Sequence, residues 1–260
     1  MPDFTDSVWT RPARPRTGQP TLSREQIVRA AIELLDAEGT AGLSMRRLGA
    51  RLGSGATSLY WHVATKDDLL ELAVDEVMGE IYVPEAGDAP WRIGVSVMAG
   101  GMRSMLLRHP WVIGLLGVRP TIGPNVMRMG NRSVALLSAA GFTGPALSHV
   151  HSLVTAHVIG ATTTQAAVGA AVHRSGKSAA ELRKSLEPFM EKTAGEYPEY
   201  ARWREESGVT EMDPDQVWDQ SFAFGLERIL DGLELWLDRG ASLAVSEGGT
   251  EPAGTEPAGT

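Results

Sequence analysis

Thr57, Ser58, Tyr60, Trp61 and His62 crowd polar and aromatic chemistry into one short run of the chain. They offer hydroxyls for phosphates, flat rings for sugar edges and thymine methyls, and an imidazole donor. The run is too polar and too aromatic for a core helix of two turns, and one of the two rings is expected to be partly buried while the other is exposed. Arg46 and Arg47 sit near the start of the preceding segment. Lys66 opens the following one, where its amine and the first helix amides can both face a phosphate. Farther upstream, Arg11, Arg14 and Arg16 are spaced by Pro and Ala. Such an arm can lie in the narrow, negative minor groove, although a passive tail fits the composition equally well.

Charge is distributed in keeping with this. The chain of 260 residues has 24 basic and 32 acidic side chains, a net charge of −8. Between Thr10 and Lys66 the basic residues outnumber Glu25, Glu33, Asp36 and Glu38 by five, so the acidic excess lies entirely elsewhere. A basic head on an acidic body points to a polyanion at one end. The absence of cysteine excludes a disulfide scaffold, thiolate zinc sites and a cysteine nucleophile, and suits a reducing cytoplasm. Met1-Pro2-Asp3-Phe4 lacks the pattern of a signal peptide. Ser133 to His173 contains no Asp, Glu, Lys or Arg, but Gly141, Gly144-Pro145 and four histidines break it. A buried interior is expected there, and no membrane partner.

The elements that must position these residues read as helices throughout. Ser23 with Gln26 forms a capping box before Ile27, Ala31 and Leu34, and Gly39 closes that helix. Ser44 caps a short helix with Met45, Leu48 and Leu52; Gly53-Ser54-Gly55 turns the chain into another, from Ala56 to about Val63. Thr65 with Asp68 caps a fourth, ended by Pro84. Further helices are expected at 91–107, 110–116, 124–140, 145–169, 178–194 and 214–238, and strand-like alternation is missing. The fold class is therefore all-α. Residues 1–20 are expected to form a flexible basic arm, 21–66 a helix-turn-helix domain, and 67–240 a helical body. Residues 241–260, with Glu-Pro-Ala-Gly-Thr twice, form a disordered acidic tail.

A helix–glycine turn–helix suits the DNA major groove but also occurs in proteins that never touch DNA. The residues themselves carry a resemblance. Ile27-Val-Arg-Ala-Ala-Ile-Glu-Leu-Leu, Leu43-Ser-Met-Arg-Arg-Leu, Leu59-Tyr-Trp-His-Val and Lys66-Asp-Asp-Leu-Leu are similar to the DNA-binding head of the tetracycline-repressor (TetR) family of dimeric transcriptional regulators. Leu116-Gly-Val-Arg-Pro-Thr121 resembles the inducer segment of its tetracycline-repressor branch, and Phe224 to Glu234 resembles its last, dimer-forming helix. The resemblance implies a base-reading arginine at Arg46, with DNA contacts from Thr57, Ser58, Tyr60, Trp61, His62 and Lys66. Gly55-Ala56 departs from the longer polar residues of that branch, so operator identity does not carry over.

For the body, residues 67–240, the resemblance implies a helical ligand-binding and dimerisation domain with an inducer pocket. Trp91, Met98, Met102, Met105, Trp111, Met127 and Met129 would give it an adaptable lining, although methionines at helical spacing also suit a plain core. Leu115 stands where a metal-binding histidine would be expected, Met98 near a drug-gripping amide, and Thr164-Gln165 where an acidic pair would be. Of that set Arg119 and Pro120 remain. No metal or cofactor is expected; the ligand is a bulky, mainly apolar small molecule, anchored by Arg119, Asn131 or His157. His149, His151 and His157 are spaced wrongly for three ligands on one helix face. Trp218, Phe222, Leu226, Ile229, Leu233 and Trp236 form an apolar stripe, expected to pack against a second copy. The expected protein is thus no enzyme but a ligand-responsive repressor, a homodimer on a palindromic DNA operator. An architectural DNA binder without a ligand, or a helical enzyme using the histidine region, are the other readings.

Overall fold

The computed structural model describes residues 7–11, 22–118, 121–208 and 211–247. Arg14, Arg16, Arg119, Pro120 and the repeated tail from 248 onward lie outside them. The described residues form ten α-helices and no strand: α1 (Arg24–Gly42), α2 (Met45–Arg51), α3 (Ala56–Tyr60), α4 (Lys66–Met78), α5 (Trp91–Arg108), α6 (Pro124–Ala139), α7 (Pro145–Ser175), α8 (Ala179–Thr193), α9 (Pro198–Glu206) and α10 (Pro214–Glu247). A short 3-10 turn, Pro110–Leu115, lies between α5 and α6. None of these helices is long and apolar enough to cross a membrane.

The caps act as the sequence leads one to expect. Ser23 and Gln26 exchange their hydrogen bonds at the start of α1. Ser44 accepts from the Arg47 amide and Thr65 from the Asp68 amide, each satisfying an amide with no partner inside its helix. Gly39, at φ 67°, interrupts α1 in the left-handed region where a side chain would be strained.

α1 to α3 close a small core of Ile27, Leu35, Leu43, Leu48 and Leu59, and this core runs on without a break into the body. The element responsible is α4. One side of it packs on α1 and another on α5 and α6, with Leu69, Ala73 and Val77 all buried. The expected border at residue 66 therefore does not separate two cores. In the body, α5 packs against α6 and α7, and α7 carries α10 along its flank.

Several stretches differ from expectation: α1 runs past Gly39 to Gly42, and α3 and α4 end at Tyr60 and Met78, short of Val63 and Pro84. α7 continues past 169 to Ser175, because Gly169 lies in a run of alanines that holds the helix, and Gly176 at φ 65° ends it. α9 went unread; its nine residues begin at Pro198 and bury none of their side chains, so no apolar period marks them. α10 runs on to Glu247, into what reads as tail.

Candidate nucleic-acid interface

The recognition surface follows from which residues of α3 go inward. Leu59 and Val63 take the core positions, at 0% and 1% exposure. Thr57 and Ser58 are exposed and His62 is half-buried. Both rings point outward: Tyr60 is 45% exposed and Trp61 76%. The expectation was one ring partly buried and the other exposed; Tyr60 is the more covered of the two, and the reason neither enters the core is volume. A helix of five residues can send only one side into the core, and leucine with the valine beyond it already fills the space. Gly53, at φ 63°, makes the left-handed turn between α2 and α3.

The neighbouring cations divide into exposed and engaged. Arg46 is exposed on α2. Arg47 donates to both Glu38 oxygens and to the Gly42 carbonyl, tying α2 to the end of α1. The hydrogen bond with Arg47 holds the Glu38 carboxyl below its usual range. Arg51 pairs with Glu33. Lys66 donates to the Thr40 carbonyl at 2.8 Å, so one of its three N–H donors is used inside the head. Arg11 is a correction. It lies on α4, paired with Asp68 and donating to the Ser7 carbonyl. A buried carboxylate within reach holds a guanidinium better than a solvated groove at a distance.

α4 carries a feature that the hydrophobic period concealed. Asp68, Glu71 and Asp75 are all buried, at 4–5% exposure, and their spacing puts them on one face. Each is satisfied. Asp75 accepts from the backbone amides of Asn125 and Val126 at 3.0 Å, and its own carbonyl accepts from the Asn125 side chain at 3.0 Å. It caps α6 from outside, since Gly123 at the cap position has no side chain to do so. A second tie joins head to body: the Asp36 carboxylate of α1 accepts from Trp111 Nε1 at 2.7 Å and lies 2.7 Å from His109 Nδ1.

In the body, those of the expected pocket residues that are described differ in burial. Met98, Met102 and Met105 on α5, with Trp111 and Leu115 of the 3-10 turn, are packed in the core. Trp91 is half-buried with its ring edge-on to Phe142. Met127 is 62% exposed and Asn131 is exposed, because α6 turns Ser133, Leu136 and Leu137 inward instead. His157 stacks on Phe222 and its Nε2 lies 3.0 Å from the Phe222 carbonyl, joining α7 to α10. A Cβ at Gly225 would collide with that imidazole. Arg103 went unnoticed in the sequence. It donates to Gln165 at 2.8 Å, pairs with Asp219 at 2.8 Å and lies over the Phe222 ring, so it fastens α5 to α7 and α10. An open groove of about 670 Å³ lies between α8 and α9, lined in part by Phe189, Tyr197 and Tyr200. His149 and His151 join no group of three metal-ligating side chains among the described residues.

The stripe on α10 is also corrected. Phe222 and Leu226 are buried inside the chain, Ile229 and Leu233 pack against the same core, and Trp218 is half-buried. The widest apolar stripe of a surface helix turns first to its own core. Trp236 stacks on Phe142 while remaining 51% exposed. What α10 leaves outside is Phe224 and Leu235, at 64% and 51% exposure.

Known proteins match both halves of this arrangement. The bacterial regulatory proteins of the tetR family match residues 27–73, and the tetracyclin repressor-like C-terminal domain matches residues 83–237. The HTH-type transcriptional repressor DrrR1 of Streptomyces coeruleorubidus is 36% identical over 232 residues, 88% of this chain and 83% of that protein. Apo ActR from Streptomyces coelicolor has the same fold at TM-score 0.69 and 30% identity, over 86% of this chain and all of that one. ActR in complex with actinorhodin superposes at TM-score 0.67, also at 30% identity, over 83% of this chain and 98% of that one. With a helix-turn-helix head, a helical body and these relatives, the chain belongs to the TetR family of transcriptional regulators and is not an enzyme.

Proposed function

We propose that the protein represses transcription as a homodimer on a palindromic operator and leaves it when a bulky, mainly apolar small molecule binds the helical body. The observation that carries this reading is the Asp75 carboxylate. It lies on the helix that follows α3 and holds the first amides of α6, so a shift in the body reaches the recognition helix through one rigid element. A hundredfold loss of DNA affinity needs only ~2.7 kcal/mol of coupling. The methionines of α5 supply a soft interior that can repack around a guest, and ActR, with the same fold, binds actinorhodin. Arg46, Thr57, Ser58, Tyr60, Trp61 and His62 face the DNA in this reading, with Lys66 donating its remaining N–H groups. A partner copy covers Phe224 and Leu235, and two-fold protein symmetry then requires a two-fold operator.

The test is selection of fragments from random DNA by the purified protein, followed by sequencing. A palindrome is expected, and recovery of sequences without symmetry would refute the dimeric reading. Titration of aromatic natural products against the selected duplex then looks for release, with and without a chelator of divalent cations. Release is expected in both, and loss of release on chelation would overturn the metal-free reading.

A further inference from the structure

The segment before the helix-turn-helix is fastened where the response has to pass. Ser7 is fully buried. Its hydroxyl donates to Glu71 Oε2 at 2.5 Å, and the Val8 amide donates to the same oxygen at 3.1 Å. The turn is closed on itself, with the Thr10 amide and hydroxyl both donating to the Ser7 carbonyl, and Arg11 pairs with Asp68 one turn earlier on α4. On the other side, the Trp9 indole lies against Gly123 at the start of α6, where a Cβ would come within 2.7 Å of its ring. Five residues therefore span two of the three buried carboxylates of α4 and the first residue that α6 presents to the third.

We propose that Ser7–Arg11 is a strap that positions α4 against α6, so that the setting of the recognition helix depends on a segment that touches neither DNA nor ligand. The physical basis is the burial of Asp68 and Glu71. A buried carboxylate without donors is costly, and α3 and its turn supply none of the donors that the strap supplies. Without the strap these two side chains must turn out to water, and α4 rotates or frays with them. The strap does not act on DNA itself: Arg11, its one cation, is held by Asp68. This inference presumes the DNA-binding reading only for its second measurement.

The experiment compares the full chain with a form lacking residues 1–11 and with the double variant Ser7→Ala, Arg11→Ala, which keeps the chain length. Hydrogen–deuterium exchange of the DNA-free protein is read first. Exchange in peptides covering 66–78 and 121–130 is expected to rise roughly tenfold to a hundredfold, the scale of a buried carboxylate losing its donors. Peptides from α1 and α7 are expected to stay unchanged. Unchanged exchange in α4, or an equal rise along the whole chain, would overturn the proposal, the latter because it marks general destabilisation. Affinity is read second, on a duplex selected by the full chain and on a random duplex. A loss of about tenfold or more on the selected duplex alone is expected. Equal affinity for the selected duplex despite faster exchange in α4 would overturn the link to the recognition helix. A salt dependence shallower by one unit with α4 exchange unchanged would place Arg11 on a phosphate and overturn the strap.

Discussion

Arg46 is exposed next to a recognition helix that opens on the small residues Ala56, Thr57 and Ser58, with the rings of Tyr60 and Trp61 at its end. A bidentate arginine contact with guanine discriminates bases by about 1–3 kcal/mol. Arg46→Ala is expected to lose that much on the selected duplex and much less on random DNA, by fluorescence anisotropy; an equal loss on both would reduce its role to a phosphate contact. Arg47→Ala should instead cost stability, because Arg47 already holds Glu38 and Gly42. The two adjacent arginines are indistinguishable as letters, and only the cap geometry around Gly42 separates them. His151 gives a prediction in pH. It is half-buried, and burial lowers its tendency to hold a proton below that of a free imidazole. Its contribution to stability is complete above the ordinary imidazole range and declines as pH falls through it, since the unfolded chain takes up the proton first. His151→Gln should flatten the fall in melting temperature between about pH 8 and pH 5, and an unaltered slope would remove His151 as a cause.

At the scale of elements, helices with both a cap and an apolar period were legible in the sequence. α1, α2 and α4 begin at Ser23, Ser44 and Thr65 as their capping patterns predict. α9 was not, having a proline start but no buried side chain. The acidic face of α4 was hidden for a different reason. Nothing in the helix pattern marks Asp68, Glu71 and Asp75 as buried, because their partners lie 50 residues or more away in the chain. Gly123 is where this junction is tightest. A Cβ there would collide with the Asp75 carboxyl and the Trp9 ring. Gly123→Ala is therefore expected to destabilise by about 1–3 kcal/mol, as overpacking does, with the loss visible in chemical denaturation. Gly130→Ala on the same helix meets open space and serves as the control.

For the whole molecule, the apolar stripe of α10 packs in large part on the chain's own α7, with Phe222 and Leu226 buried there. Period alone gives the face of a helix and not what covers it. Phe222→Ala should accordingly lower the stability of each protomer, whereas Phe224→Asp with Leu235→Asp should yield a stable monomer by sedimentation. A dimer that survives the double substitution would move the interface elsewhere. Acid should loosen the body as well. Arg92 on α5 holds Asp231 and Glu234 of α10, and its hydrogen bond keeps the Asp231 carboxyl below the usual carboxylate range. This contribution is present above that range and is lost as pH falls through the lowered value, so Asp231→Asn should remove part of the acid sensitivity. The contacts of Ser7 and Arg11 with α4 have one more consequence, for anyone who would exchange modules. The DNA-reading head is moored at both of its ends, at the front through Ser7 to Glu71 and at the back through α4 itself. In topology it is an insertion within the body, not a cap placed on its front. A graft of a foreign head should therefore replace residues 12–65 and leave the first eleven with their host.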